Sequence, residues 1–172
     1  MRTGLLLALL AIPFAACGTT KDYKMRFHGK DDLNPNSANS ATPVKGKVFT
    51  LKGGDATSRL ESEPIDDLWA GKSELLAKTV SGIAQEFSLA PNSEIPPLEF
   101  HNVADDVTHF LVIARFHTPE AGKDRCLIPR AKLPDVDIWL QKNEIRALPI
   151  GTTPPAPQPP APQPPAPHGQ GS

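Results

Sequence analysis

Phe110-Leu111-Val112-Ile113-Ala114-Arg115-Phe116 is the stretch on which the fold turns: a continuous apolar run with histidines at His109 and His117 and a turn signal upstream at Asp105-Asp106. An unbroken run bounded by turn residues suits a strand covered on both faces. Working outward, Lys45-Gly46-Lys47-Val48-Phe49-Thr50-Leu51 alternates in part, as a half-buried strand does. Further short apolar runs, each bounded by Pro, Gly, Asn or Asp, lie at Tyr23 to Phe27, Val44 to Leu51, Ile83 to Leu89, Leu98 to Phe100, Arg125 to Ile128, Asp137 to Lys142 and Glu144 to Leu148. With the Phe110 run, that strand count is the habit of a mainly β, two-sheet sandwich of antiparallel strands. Between Pro64 and Thr79 the pattern becomes helical, with Leu68, Leu75 and Leu76 on one side and Asp66 or Asp67 able to cap. Gly71 weakens that helix toward two short turns. Gly53-Gly54-Asp55 reads as a turn between elements.

Composition excludes several function classes. The 172 residues carry 18 basic and 19 acidic side chains, a net charge of -1, with no basic cluster. Nothing in that balance holds a nucleic-acid backbone or an anionic membrane face. The two ends differ from the middle. Arg2, the apolar stretch Leu5 to Ile12 and the small pair Ala15-Ala16 form a secretory signal over residues 1–16, too short to cross a hydrocarbon core of about 30 Å. From Gly151 onward, nine of the 22 residues are proline, in the repeat Pro-Pro-Ala-Pro-Gln. Such a tail, residues 151–172, forms neither helix nor sheet ladder. It reads as extended polyproline II of about 3.1 Å per residue: a spacer, a ligand for an aromatic groove, or a solvated tail. The folded middle, about 130 residues, is enough for one core without disulfides or metal.

Phe14-Ala15-Ala16-Cys17 resembles a bacterial lipobox, which implies that the Cys17 thiol receives a diacylglyceryl group and the new N-terminus an acyl chain. Phe14 departs from the usual leucine. The alternative is ordinary cleavage near Ala16, with Cys17 left as a free thiol. Two or more acyl chains, at about 0.8 kcal/mol per buried methylene, give effectively permanent anchoring. Gly18 after the cysteine, rather than Asp, resembles lipoproteins sent on to the outer membrane. Residues 17–22 then form a tether and 23–150 the sandwich domain. Cys126 is the only other cysteine; acylation of Cys17 leaves it single, whereas a Cys17 to Cys126 bridge would tie the tether to the core. In Arg125-Cys126-Leu127-Ile128 it reads as a small buried hydrophobe.

Catalytic signatures are missing from the sequence: no G-x-S-x-G, H-E-x-x-H, paired C-x-x-C or glycine-rich phosphate loop. His101, His109 and His117 recur at intervals of eight, but His109 and His117 would sit at opposite ends of one strand, about 25 Å apart, too far to share an ion. The acidic pairs Asp31-Asp32, Asp66-Asp67 and Asp105-Asp106 read as a loop entrance, a cap and a turn, because sequence neighbours point apart. The expectation is a protein without catalytic residues or metal, and without a cofactor other than the covalent lipid on Cys17. One long loop, from Gly29 to Pro43, remains unexplained by packing, and loops of that length are functional or disordered.

Taken in order, the lipobox, Leu33-Asn34-Pro35, Pro43-Val44, Val48-Phe49-Thr50-Leu51-Lys52, Asp66-Asp67-Leu68-Trp69, Leu89-Ala90-Pro91-Asn92 and Phe110 to Phe116 resemble the TssJ family of outer-membrane lipoproteins of type VI secretion systems. Asn92 stands where that family commonly has Gly, which is tolerable in a left-handed turn. Asp124 stands where a tryptophan is expected, and the proline tail lies outside the family pattern. The resemblance implies a transthyretin-like (Ig-like) two-sheet sandwich with a short helical insert. It also implies attachment to the outer membrane facing the periplasm, and binding to the periplasmic C-terminal region of TssM, the IcmF-like inner-membrane protein, in a complex that also contains TssL. The family's contact loop maps onto Asp31 to Thr42. Within it Leu33 and Pro35 would be apolar anchors, and Asp32, Asn34, Asn36 and Asn39 polar contacts. The other reading is that Leu33 folds back onto the core and Asn34-Pro35 merely turns the chain. A second function, binding cell-wall glycan or another periplasmic ligand, would need displayed aromatics, and only Trp69, Trp139 and Tyr23 are available.

Overall fold

Residues 20–155 are described in the computed structural model; the signal segment, Cys17 and the proline repeats from Ala156 onward lie outside the described residues. Eight strands follow the expected order: β1 (Lys21–Gly29), β2 (Val44–Lys52), β3 (Gln85–Leu89), β4 (Glu94–Val103), β5 (Val107–Arg115), β6 (Arg125–Pro129), β7 (Val136–Gln141) and β8 (Glu144–Pro149). They form two four-stranded sheets, ordered β4-β1-β7-β8 and β3-β2-β5-β6. One pairing departs from the antiparallel expectation: β1 runs parallel to β7, with Phe27 opposite Ile138 and Gly29 opposite Leu140. A hairpin forces antiparallel pairing, but β1 and β7 are joined through the whole second sheet, so their direction is set by packing.

β5 is covered on both faces, as its sequence required. Phe110, Val112 and Ala114 point into the core between the sheets, with Met25, Phe27, Ile138 and Leu140. Leu111 and Ile113 point the other way, into a second cluster with Phe49, Leu51, Leu60, Leu68 and Leu76. The period of two sends alternate residues to opposite faces, and each face finds an apolar partner. β2 divides in the same manner: Val44 and Val48 go to the inner cluster, Phe49 and Leu51 to the outer. Gly46 lies between them because Phe87 of β3 covers it; a Cβ there would fall 2.0 Å from the ring.

The outer cluster is closed by three short helices, α1 (Asp55–Arg59), α2 (Ile65–Ala70) and α3 (Glu74–Thr79). Gly71, at φ 67°, separates α2 from α3 as a left-handed C-terminal residue. Neither Asp66 nor Asp67 caps. α2 starts after Pro64, and both acids fall inside its first turn, where they face the positive helix end and Asp66 reaches Arg115 at 3.1 Å. Ser73 caps α3 by accepting from the Leu76 N–H at 3.1 Å. α1 arises where a simple turn was expected. Its sequence Asp-Ala-Thr-Ser-Arg has no apolar period, and Thr57, its one buried residue, is held by a bond from Oγ1 to the Lys52 carbonyl. Asp124, standing in place of the expected tryptophan, is buried and accepts from Arg125 Nε at 2.8 Å. Arg125 in turn donates to the carbonyls of Leu60 and Glu63, fastening the helical insert to the sheet.

A candidate partner-binding loop

The loop between β1 and β2 begins where Gly29 passes under the β3–β4 turn; a Cβ on Gly29 would come within 2.4 Å of the Ala90 carbonyl oxygen. Gly29 N–H donates to Ser93 O at 2.8 Å and Lys30 N–H to Leu140 O at 3.0 Å, so the chain leaves β1 already tied to two neighbours. Leu33 then turns inward and is 0% exposed, packed in the inner core. Its apolar surface is spent there, so it is no surface anchor as the loop stands. The energetic reason is simple: a leucine side chain gains about 1.5–3 kcal/mol by leaving water, and a core lies within reach.

Asn34 organises the rest. It is 2% exposed, adopts the left-handed conformation at φ 49°, and has its polar groups engaged. Nδ2 donates to Thr42 Oγ1 (2.9 Å) and to Pro43 O (2.8 Å), while Oδ1 accepts from the His117 N–H (2.7 Å). Its backbone N–H donates to Lys142 O (2.6 Å) and its carbonyl accepts from Thr42 Oγ1 (2.6 Å). One residue thus ties the loop to three places: its side chain to the start of β2 and the segment after β5, and its backbone N–H to the β7–β8 turn. Asn34 is therefore a scaffold residue, because hydrogen bonds already made within the fold are not available to a partner.

Asn36 does the same for the loop tip. Its Oδ1 accepts from Ala38 N–H and Ser40 N–H, both at 3.0 Å, and its own N–H donates to Ser40 O. Asn39, at φ 56°, closes this turn with its N–H on Asn36 O at 2.8 Å, and its side chain is exposed. Pro35 is half-buried. Asp32 is half-buried too: Oδ1 faces the Lys142 N–H at 3.4 Å, while Oδ2 is buried without a hydrogen-bond partner. Of the six residues expected to form the contact, only Asn39 is fully at the surface. The exposed tip runs from Ser37 to Ala41, small and uncharged, with Asn92 of the β3–β4 turn also exposed beside the loop base, its N–H on Lys30 O at 3.2 Å. Asn92 takes φ 49°, the left-handed turn that its sequence allowed.

The loop lies at the far end of β1 from the tether. β1 starts at Lys21, so the last two residues of the tether expected over 17–22 are already strand, paired with β4, and β1 ends at Gly29, a span of about 30 Å at ~3.3 Å per residue. Between the two ends the outer face of the β4-β1-β7-β8 sheet carries a ladder of ion pairs: His101–Asp22 (3.0 Å), Lys24–Glu99 (2.7 Å), Arg26–Asp137 (2.7 Å) and His28–Glu94 (2.8 Å). The Asp22 carboxylate beside it raises the His101 pKa above its ordinary value, and the Asn102 N–H together with His101 lowers that of Asp22.

The other singled-out residues are dispersed. His101 lies exposed in β4, His109 inside β5 with Nδ1 near Thr108 Oγ1, and His117 beyond the strand's end. Among the described residues no group of His, Cys, Asp and Glu converges as a metal site. Cys126 is half-buried, and burial pushes its thiol pKa up. The three aromatics do not share a surface. Tyr23 packs on Phe110 (5.6 Å), Trp69 sits on the other sheet's covered face between Lys47 and Arg115, and Trp139 stacks on His28 (4.5 Å).

Residues 21–144 match the family model described as type VI secretion lipoprotein, VasD, EvfM, TssJ. Among solved structures, one chain of a structure described as a type VI membrane complex is similar at 20% identity and TM-score 0.65, covering 76% of this chain and 100% of that one. The lipoprotein TssJ1 from Pseudomonas aeruginosa is similar at 20% identity and TM-score 0.62, covering 81% and 100%. A chain of a structure described as the T6SS protein TssM C-terminal domain from EAEC matches at 20% identity and TM-score 0.61, covering 73% and 99%. No curated protein matches the sequence at a significant level.

Proposed function

Because the chain belongs to the type VI secretion lipoprotein family, we propose that it is anchored by lipid on Cys17 to the outer membrane, faces the periplasm, and binds the periplasmic C-terminal region of a TssM protein through the tip of the β1–β2 loop. In this reading it performs no catalysis and carries no cofactor beyond that lipid; it fixes the secretion complex, of which TssL is also a part, across the envelope. The observation that supports the assignment of the site is the loop itself: fourteen residues without regular structure, held rigid by Asn34 and Asn36 at the end of β1 opposite the tether. A recognition surface fixed before the partner arrives loses little conformational freedom on binding. Its exposed tip is uncharged, so it desolvates at low cost.

The test exchanges Ser37 to Ala41 for glycine and serine, leaving Leu33, Asn34 and Asn36 in place. Loss of binding to the purified TssM periplasmic domain in calorimetry, with the unfolding midpoint retained, is the expected result; unchanged binding removes the loop from the interface. The glycan reading finds no single groove, since Tyr23, Trp69 and Trp139 lie on three different surfaces.

A further inference from the structure

At the tether end of the sandwich, β1 lacks a strand on one side. β4 pairs along its whole length from Lys21 to His28, but β7 joins only at Phe27. Beside the edge from Lys21 to Arg26 lies an open groove of about 690 Å³, floored by the short helical turn Arg130–Asp135 and lined by Lys21, Tyr23, Arg130, Leu133, Pro134 and Ile150. An unpaired edge beside apolar side chains is a surface that folded proteins usually cover.

The chain itself arrives there. β8 ends at Pro149, and Ile150, half-exposed, lines the groove. Two bonds, Ile150 N–H to Asp135 O and Thr152 N–H to Pro149 O, with Gly151 at φ 81°, turn the backbone over the helical turn. Pro154, the first residue of the proline repeats, is buried. We propose that the tail from Pro154 to Pro167 docks in this groove in cis and covers the open edge of β1.

The chemistry is complementary. Prolines offer carbonyl acceptors and no N–H, and the groove presents donors in the outward amides of β1 and in Lys21, while Lys24, Arg26 and Arg130 already engage Glu99, Asp137 and the Ala104 carbonyl and Asp22 lines the same wall. Proline rings pack on Tyr23, Pro134 and Ile150 as polyproline segments pack on apolar and aromatic walls. Ala156, Gln158, Ala161, Gln163 and Ala166, which break the proline runs, keep N–H groups for the edge carbonyls. Fourteen residues at about 3.1 Å reach roughly 43 Å, longer than the edge of six residues they would cover. The segment carries no charge, so the four cations do not repel it.

The test compares backbone hydrogen exchange in the full chain, purified in detergent, with that in a chain ending at Thr153. A third chain keeps the length but has every proline from Pro154 to Pro167 replaced by serine. The β1 amides from Lys21 to Arg26 on the groove side are expected to exchange at least about tenfold faster in both variants, while β5 amides stay protected and report an intact fold. A synthetic peptide spanning Pro154 to Pro167, added to the truncated chain, should restore protection. Equal exchange in all three chains overturns the proposal. So does protection that rises with protein concentration, which would mean a second copy, or protection that appears only with phosphatidylethanolamine–phosphatidylglycerol vesicles, which would mean lipid.

Discussion

At Gly29 the chain leaves β1 into a loop whose polar groups are tied to three neighbouring segments, whereas at Lys21 the same strand emerges beside an open groove with one edge unpaired. The loop end satisfies its buried polar groups from within, through Asn34 and Asn36. The tether end leaves donors and apolar walls available to something that comes later. The lesson is that rigidity in this sandwich is not distributed by secondary structure: the least regular segment is among the most constrained. That suits a division of labour in which one end presents a fixed shape and the other only needs to be held near a membrane.

The contrast breaks most readily at Leu33. Leu33→Ala should cost about 2–5 kcal/mol in denaturant unfolding, the range for emptying a buried leucine site, and should weaken partner binding with it. A cost below about 1 kcal/mol would mean that the loop base is not part of the core. Asn34→Ala comes next, at about 1–3 kcal/mol, because it strands the His117 N–H and the Pro43 carbonyl and puts a less tolerant residue at positive φ. If Asn34→Gly, which keeps the φ but not the bonds, is as stable as the native chain, the network has been overvalued.

At the other end the effects are smaller. With Cys17 acylated as proposed, Cys126 is the single thiol, so the denatured chain should titrate with one thiol, and in the folded protein that thiol should alkylate slowly because burial raises its pKa. Two thiols in denaturant would contradict the lipid anchor. The smallest effect belongs to the exposed His101–Asp22 pair. His101 is raised above its ordinary value of 6.5, so its contribution is complete below that pH and is lost as pH rises through the raised value. Asp22 is lowered below 3.8, so its contribution is present above that pH and is lost as pH falls through the lowered value. His101→Gln should flatten the fall in unfolding midpoint above pH 6.5 by about a degree at most, since exposed pairs contribute little; an unchanged profile would show that the pair contributes nothing.

Much of this architecture was legible in the sequence. Most strands were readable because each carries its burial pattern locally, β5 most plainly, with five apolar residues in a row, whereas β4 was legible only over Leu98 to Phe100, since most of its ten residues are exposed and two are proline. The parallel register of β1 against β7 was not, since no local signal specifies a pairing between strands so distant in the chain. α1 escaped because a polar five-residue helix has no apolar period to read. For the candidate site, the sequence singled out the loop, but not which of its residues the fold buries. Length and composition pointed to the loop, but Leu33 and Asn34 look like surface chemistry until their partners are known, and those partners, His117, Pro43 and Lys142, come from three separate stretches of chain. Burial of an asparagine is a property of the assembled fold, and no window of neighbouring residues contains it.

The most direct test of the central claim is calorimetric titration of the TssM periplasmic C-terminal domain into three versions of this protein: native, with Ser37 to Ala41 exchanged for glycine and serine, and with the tether-end residue His101 changed to Gln. Saturable binding by the native and His101→Gln proteins, and none by the tip exchange at an unchanged unfolding midpoint, is the result expected. Binding that survives the tip exchange, or is lost with His101→Gln instead, would place the interface elsewhere and contradict the assignment of the rigid loop as the recognition surface.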